Sequence, residues 1–183
     1  MQVFDSIVEG VRFITPNIFY DYRGSFVELW NNKTLKEKGI TERFVQDNIL
    51  TSSKGVLRGV HTQLRFPQAK IVSCLKGSIF DVVVDCRPDS PTFGQWHCEI
   101  LNPNNHKILF IPKGVAHGFY TLDDAIVYMK VTTHYTPGDE IGFMWNDEKV
   151  GIKWPVMNNV ILADKDKKWG NFEDMMKVIK DYR

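Results

Sequence analysis

The chain has 183 residues, 43% of them hydrophobic and 13% aromatic, which is enough to bury one sizeable core and short for two. Its 23 lysines and arginines nearly balance its 22 aspartates and glutamates, without a run of five like charges. This pattern argues against a nucleic-acid or membrane partner and favours a small molecule. The opening residues lack a basic segment followed by an apolar one, and no stretch of about 18 apolar residues occurs. We therefore expect no membrane span and a cytoplasmic location.

In chain order, the first predicted element is a short helix over residues 32–39, where an asparagine is available as a cap and Gly39 as a stop. A run of short segments rich in β-branched and aromatic residues follows, separated by turns containing Gly, Pro, Asn or Asp. These predicted strands are 44–53, a strand that enters a loop within 55–70, 70–77, 78–86, 97–102, 107–112, 117–122 and 125–135. The layout predicts an all-β antiparallel sandwich or barrel.

The last predicted element is a helix over residues 172–183. Its apolar stripe has i, i+3, i+4, i+7 spacing and consists of Phe172, Met175, Met176 and Ile179. We expect this stripe to dock on the barrel or on a dimer partner. The three cysteines form no C-x-x-C pair and are odd in number, so we expect buried thiols rather than a disulfide framework.

Two histidines lie in segments that are similar to the two metal-binding motifs of cupins, the double-stranded β-helix proteins. Gly55 and His61 have the spacing of the first motif, and Pro112, Gly114 and His117 have that of the second. A cupin metal site usually takes three histidines and one glutamate.

The donors that would complete such a site are missing. Gln63 stands where the second histidine belongs, and Gln68 is the nearest candidate for the glutamate. Neutral amides are poor ligands for a transition metal. We therefore expect the cupin fold without a metal, which leaves His61 free to act as a base near neutral pH.

Six ordered blocks extend the resemblance to a particular group of cupins. They are "FYDYRGSFVELW", "FVQDN", "VLRGVHTQ", "QAKIVSCLKGSIFDVVVDCRPDSPTFGQW", "IPKGVAHGF" and "WNDEKVGIKWP". From about residue 9 to residue 167 the chain closely resembles the dTDP-4-dehydrorhamnose 3,5-epimerase family, metal-free cupins that invert stereocentres beside a ketone in nucleotide-linked 4-keto-6-deoxy sugars.

The resemblance implies a single cupin domain over residues 1–183, a jelly-roll barrel with short peripheral helices and a C-terminal helix. The barrel core would span about 40–135 and the C-terminal helical segment about 168–183. It implies an isomerase that needs no cofactor and no metal.

The resemblance also assigns catalytic roles. His61 would be the base, with the carboxylate of Asp166 as its partner, and Lys70 would stabilise the enolate oxygen. His117 would line the same cavity, with Asp81 as an orienting partner; a hydrogen-bonded core residue is the alternative for His117.

Binding of the nucleotide diphosphate would use cations, aromatic faces and polar side chains. The candidates are Arg23 and Arg58 for phosphate, Phe19 and Phe26 for stacking, Glu28, Gln46 and Asn48 for hydrogen bonds, and Tyr135 beside the base. By family likeness residues 19–28 reach the site of a neighbouring subunit, which implies a homodimer. His134 replaces an aromatic residue common in the family, so both a dTDP-linked and a GDP-linked sugar, with six or seven carbons, stay open.

The chain departs from the family at one catalytic position. A tyrosine immediately before the motif's lysine is thought to supply the acid, but here Met129 precedes Lys130, and a thioether has no proton to give. Side chains alternate along a strand, so Tyr128 should point to the opposite face, unless a bulge turns it into the cavity. If the tyrosine acid is absent, one protonation must come from water or another group. We therefore expect inversion at C-3, with C-5 handled slowly or not at all. The alternatives are a metal-dependent cupin enzyme and a non-catalytic sugar-nucleotide-binding cupin.

Overall fold

A computed structural model describes residues 1–156 and 159–182. The strands of this part of the chain are β1 (Gln2–Asp5), β2 (Arg12–Thr15), β3 (Ile18–Asp21), β4 (Gly24–Val27), β5 (Gln46–Ser52), β6 (Leu57–Gln63), β7 (Lys70–Lys76), β8 (Ile79–Asp85), β9 (Trp96–Leu101), β10 (Ile108–Ile111), β11 (Val115–Thr121), β12 (Ala125–Val131) and β13 (Glu140–Gly142). The helices are α1 (Asn32–Glu37), α2 (Phe172–Tyr182) and a 3-10 turn at Asp166–Lys168. Arg183, the last residue of the predicted C-terminal helix, lies outside the described residues.

Two antiparallel sheets form the body of the domain. The six-stranded sheet has the order β1-β2-β10-β7-β12-β5, and the five-stranded sheet has the order β13-β6-β11-β8-β9. The main hydrophobic core draws side chains from both sheets, for example Val72 and Val127 from the first and Val83 and Val115 from the second. The sheets therefore pack face to face, and the predicted jelly-roll barrel is confirmed.

Two smaller apolar clusters cover the outer faces of the barrel. Phe172, Met175 and Met176 of α2 pack on the five-stranded sheet beside Val82 and Val84. Thus the predicted stripe docks on the barrel of its own chain. Leu35 of α1 joins the cluster on the other sheet, and Asn31 caps this helix by accepting a hydrogen bond from the Thr34 amide.

Strands β1 to β4 precede residue 44, where the sequence pattern predicts no strand. Each has only four residues, and their mostly exposed or half-buried positions produce no alternating pattern of burial. Within the described part of the chain, strands β3 and β4 pair only with each other, as a two-stranded hairpin beside the barrel.

A close approach of β6 and β11 fixes the relative position of the two cupin-motif histidines. His61 and His117 are direct partners in the ladder. Two residues away, Gly59 has a φ of +114°, and a Cβ there would lie 2.5 Å from the Cα of Gly118. Only glycine satisfies both the backbone angle and the contact.

No helix within residues 1–156 and 159–182 is long and apolar enough to cross a membrane.

Candidate active site

A cavity of about 540 Å³ opens at one end of the space between the two sheets. The five-stranded sheet contributes His61 and His117 to its wall, and the six-stranded sheet contributes Lys70 and Met129. The segment 163–166 closes one side. Most of the catalytic and binding candidates named from the sequence line this cavity: His61, Lys70, Asp166, His117, Gln46, Asn48, Arg58 and Tyr135.

His61 extends from β6 into the cavity wall with 16% of its side chain exposed. Its Nδ1 lies 3.3 Å from Oε1 of Glu140, although the geometry is not that of a hydrogen bond and Nδ1 is buried without one. Burial lowers the pKa of His61 well below 6.5, and electrostatic interactions with Lys70, Lys165 and His117 lower it further. The imidazole is therefore neutral at pH 7 and able to accept a proton.

Asp166, the partner expected for His61, is buried in the same wall with only 2% of its surface exposed. Its Oδ1 accepts a hydrogen bond of 3.2 Å from the indole N–H of Trp169. Burial raises the pKa of Asp166, while Trp169 and the charge of Lys165 oppose that rise. The structure places the carboxylate of Glu140 3.3 Å from the neutral His61 ring, and the pairing of His61 with Asp166 stays a prediction.

Glu140 and Lys165 were not singled out from the sequence. Glu140 occupies the first position of β13, opposite Gln63 in the ladder. Its second oxygen, Oε2, accepts a hydrogen bond from Lys165 Nζ. The pairing of a three-residue strand with β6 creates this group of charges, and no local pattern in the sequence signals it.

Lys70 begins β7 and faces the cavity from the sheet opposite His61, with 4% of its surface exposed. Among the described residues, its ammonium group takes part in no hydrogen bond or ion pair. Burial lowers the pKa of Lys70 to about 8; Glu140 and Asp81 favour its charged form, and Lys165 disfavours it. At neutral pH the side chain is a buried, unpaired cation aimed at the cavity, which suits it to stabilise a developing anion.

His117 and Asp81 form a buried pair on neighbouring strands. Nε2 of His117 lies 3.0 Å from both carboxylate oxygens of Asp81. Burial raises the pKa of Asp81, and the neighbouring His117 counteracts that rise. The contact orients the imidazole, so His117 both lines the cavity and forms a satisfied polar pair.

The polar residues at the cavity mouth make hydrogen bonds within the chain. Arg58 donates to Ser52 Oγ at 3.0 Å and to the carbonyl of Thr51 at 3.3 Å. Gln46 donates to Asn48 Oδ1 at 2.8 Å and accepts from the backbone N–H of Tyr135 at 3.1 Å. This chain of contacts holds Tyr135, which is 71% exposed, at the rim beside His134.

Four binding candidates lie away from the cavity of their own chain. Phe19, Arg23 and Phe26 belong to the β3–β4 hairpin, and the two rings are 59% and 67% exposed. Arg23 pairs with Asp21 at 2.6 Å. Glu28, which follows the hairpin, accepts a hydrogen bond from Asn31. Their predicted role requires the site of another subunit.

The two neighbouring residues Tyr128 and Met129 face opposite sides of β12. Met129 lines the cavity and packs against the main core. The hydroxyl of Tyr128 donates to Asp47 at 3.2 Å and accepts from Lys130, outside the residues that line the cavity. The strand irregularity near here, between Ile126 and Val127, comes from an extra residue in β7, and β12 stays in register with β5.

Among the described residues, no group of three or more histidines, cysteines, aspartates or glutamates is arranged to hold a metal ion. The side chain of Gln63 also lines the cavity, and its Oε1 is buried without a hydrogen-bond partner.

Comparisons with known proteins assign the family. The profile described as dTDP-4-dehydrorhamnose 3,5-epimerase matches residues 5–174. The enzyme of that name from Escherichia coli is 40% identical over 181 residues, which cover 97% of this chain and 98% of that protein.

Solved structures agree with this assignment. A dTDP-6-deoxy-D-glucose-3,5-epimerase from Legionella pneumophila, in complex with dTDP-4-keto-L-rhamnose, matches with a TM-score of 0.92 and 41% identity, covering 99% of this chain and 96% of that one. A 3'-monoepimerase from Streptomyces bikiniensis, in complex with dTDP-quinovose, matches with a TM-score of 0.88 and 28% identity, covering 94% and 89%. The chain therefore belongs to the dTDP-4-dehydrorhamnose 3,5-epimerase family of sugar-nucleotide isomerases, as the six sequence blocks predicted.

Proposed function

We propose that this protein inverts C-3 of a nucleotide-linked 4-keto-6-deoxy sugar and acts on C-5 slowly or not at all. The observation that carries the proposal is Met129, which lines the cavity at the position where the family resemblance expects the acid tyrosine. A thioether cannot donate a proton. A 3'-monoepimerase on a closely similar backbone supports C-3 inversion alone as an outcome that this architecture permits.

In the proposed reaction His61 removes the proton on the carbon next to the ketone. The neutral imidazole that burial favours is the form able to do this. The electrons of the broken C–H bond move toward the ketone oxygen, where the ammonium group of Lys70 would stabilise the enolate. A water molecule on the opposite face of the carbon then gives a proton to the enolate, which re-forms the ketone with inverted configuration. The imidazolium of His61 returns its proton to the resulting hydroxide.

The nucleotide would lie across the cavity mouth. Arg58 keeps donors available for phosphate beyond the two bonds it makes within the chain. Gln46, Asn48 and Tyr135 form a connected polar rim that a base or ribose would contact. We propose a dTDP- or GDP-linked sugar as substrate, with His134 beside the base.

We further propose a homodimer in which the β3–β4 hairpin completes the site of the partner. Phe19, Tyr20 and Phe26 are each more than half exposed, and such a group of aromatic side chains is costly to leave in water. The hairpin would bring these rings and Arg23 to the nucleotide of the other subunit.

We propose the cytoplasm as the location. Cys74, Cys86 and Cys98 are all free thiols, and the first two are buried, which fits a reducing compartment.

The test of the C-3 proposal is incubation with dTDP-4-keto-6-deoxyglucose, and with its GDP-linked counterpart, in deuterated water. Products are trapped by reduction, and the configuration at both carbons is determined. The expected result is inversion and deuterium incorporation at C-3. Rapid inversion at both carbons would contradict the proposal.

Three variants test whether Met129 is the cause. Met129→Tyr should add inversion at C-5, because it places a phenol at the cavity wall, whereas Met129→Leu, which fills similar space without a hydroxyl, should not. Tyr128→Phe should leave the product unchanged, since that hydroxyl faces away from the cavity. Loss of C-3 inversion in Tyr128→Phe would identify Tyr128 as the acid and overturn the assignment.

A further inference from the structure

We propose that a second cavity, behind the candidate active site, binds a compact apolar molecule that carries one anionic group. This rear cavity, lined by residues such as Leu64, Arg87 and Ile179, has a volume of about 320 Å³. That volume is near the lower end of the range of about 300–1,000 Å³ typical of ligand pockets. Its walls come from the end of β6 with the loop after it, the adjoining ends of β8 and β11, and the last turns of α2. Such a site lies outside the epimerase function proposed above and does not depend on it.

Strand β6 separates the rear cavity from the candidate active site. Side chains alternate along a strand, so His61 lines the catalytic cavity while the next residue, Thr62, lines the rear cavity. Thr62 continues the outward-facing row that begins with Val60, which packs in the cluster under α2. Gln63 borders both cavities. The two cavities therefore lie back to back, on the two faces of one sheet.

The body of the rear cavity is apolar. Its wall includes the hydrocarbon side chains of Leu64, Pro67, Pro88 and Ile179. Tyr182, which is 55% exposed, adds an aromatic ring from the last turn of α2. A ligand with a compact apolar body would remove these side chains and its own surface from water, which favours binding.

The charged residues at the rear cavity favour an anion. Arg65 and Arg87 line it, and none of the described residues that line it is acidic. Arg87 bonds Asp85 and the Glu9 carbonyl through Nε and Nη2, and these bonds do not use Nη1. Arg65 bonds Asp139 through Nε, a bond that involves neither of its terminal nitrogens. Because Asp85 and Asp139 offset part of the positive charge, the N–H groups of the two guanidinium forks matter more than net charge, and they match a carboxylate or sulfonate.

The hydroxyl of Thr62 is a further polar group at this cavity. Thr62 is 2% exposed, and its Oγ1 has no hydrogen-bond partner among the described residues. A buried hydroxyl without a partner destabilises a fold, and most buried polar groups in native proteins have one. Rotation about χ1 would turn this hydroxyl toward the cavity, where a ligand oxygen would accept its hydrogen bond.

The test uses two fluorescent probes, 8-anilinonaphthalene-1-sulfonate and N-phenyl-1-naphthylamine, which share one aromatic body and differ in the sulfonate. Titration of the intact chain measures Kd for each probe, with and without saturating dTDP, the nucleotide proposed for the candidate active site. The expected result is one sulfonate site that persists in dTDP. Its Kd should be about tenfold or more below that of the neutral probe, because a charge-assisted hydrogen bond is added.

Two pairs of variants locate the bound probe. Ile179→Trp fills the rear cavity and should weaken sulfonate binding about tenfold or more, whereas Val178→Trp should not, because Val178 is 47% exposed and outside the lining. Arg65→Gln removes one guanidinium group and should reduce the difference in Kd between the two probes. Arg43→Gln, at an exposed arginine away from the cavity, is its control. Circular dichroism and thermal unfolding verify that each variant is folded.

Thr62→Val separates a ligand contact from a purely structural role. Valine has nearly the same shape and lacks the hydroxyl, so the variant should unfold at a higher temperature than wild type. It should also bind the sulfonate probe more weakly, by about threefold or more, because the ligand loses a donor. A change confined to structure would alter the unfolding temperature without this loss of affinity.

Several outcomes would overturn the inference. Equal Kd values for the two probes would show that no anion is recognised. Displacement of all bound sulfonate by dTDP, or wild-type affinity in Ile179→Trp, would place the probe in another part of the molecule. The absence of saturable binding would show that the cavity takes no such ligand. None of these measurements requires turnover, so failure of the proposed epimerase reaction would leave them unchanged.

Discussion

The two ends of the space between the sheets are built from the same strands and differ in what they bury. On β7, Cys74 and Val72 pack in the core, whereas Lys70 on the same face reaches the cavity. On β12, Val127 packs in the core and Val131 lines the cavity. One alternating pattern thus produces both a sealed apolar end and an open polar end.

The open polar end contains buried groups that lower the stability of the fold. His61 Nδ1 and Gln63 Oε1 are buried without hydrogen bonds, and Lys70 is a buried cation without an ion pair. Each costs stability in the free protein. Substitutions at the closed end should therefore change stability and leave the chemistry intact, while those at the open end should change the chemistry more than the stability.

The largest effect is expected at the open end, for His61→Ala. Loss of the base should lower the rate of deuterium exchange into substrate by about 10²- to 10⁴-fold. The affinity for dTDP, measured by calorimetry, should change little, because the role proposed for His61 is at the sugar and not at the nucleotide. His106→Ala, in the turn between β9 and β10, is the control and should behave like wild type. Exchange at the wild-type rate in His61→Ala would contradict the assignment of the chemistry to the open end.

The next effect in size is expected for Lys70→Met, which should lower the turnover rate and raise the free energy of unfolding. Turnover should fall by about 10²- to 10³-fold, because the enolate loses its cation. The free energy of unfolding should rise by about 1–3 kcal/mol, because an apolar side chain of similar length replaces a buried unpaired charge. Lys130→Met is the matched control: Lys130 pairs with Asp47 on the outer face, so that change should not raise stability.

The pH dependence of the unfolding free energy provides a second measurement of the Lys70 charge. The pKa of Lys70 is lowered to about 8 in the folded state from an ordinary value of 10.5. Between these values the unfolded chain binds more protons at this group, so its contribution to stability becomes less unfavourable as pH rises. The difference in unfolding free energy between Lys70→Met and wild type should therefore narrow from pH 8 to pH 10.5. A constant difference would show that the charge is not the cause.

The smallest effect is expected at the closed end, for Val127→Ala. Removing two fully buried methyl groups should lower the free energy of unfolding by about 2 kcal/mol, measured by denaturant titration. The exchange rate below the unfolding transition should match wild type, because Val127 lies in the core, outside the cavity lining. A large loss of turnover in the folded variant would mean that the two ends are not independent.

The strands between residues 70 and 131 were predictable because they are apolar or alternate in burial and are bounded by clear turns. The N-terminal strands were not, since strands of four residues in mostly exposed or half-buried positions carry no periodic signal. Strand β13, only three residues long, takes its place from pairing with β6.

The residues of the site can likewise be divided into those that were predictable from the sequence and those that were not. The sequence located His61, Lys70, Asp166 and His117, all of which line one cavity, because family blocks and cupin spacing mark them. The opposite orientations of Tyr128 and Met129 followed from strand alternation alone. The contact between His61 and Glu140 joins residues 79 positions apart through a ladder that no local pattern encodes.

The unpaired Lys70 has a consequence for the heat of ligand binding. With a pKa of about 8, about half of these side chains carry no proton at pH 8. A ligand that brings negative charge beside Lys70 raises its pKa, so binding at that pH draws a fraction of a proton from solution. The buffer supplies that proton, and the calorimetric enthalpy of binding therefore varies with the ionisation enthalpy of the buffer at pH 8, and much less at pH 6.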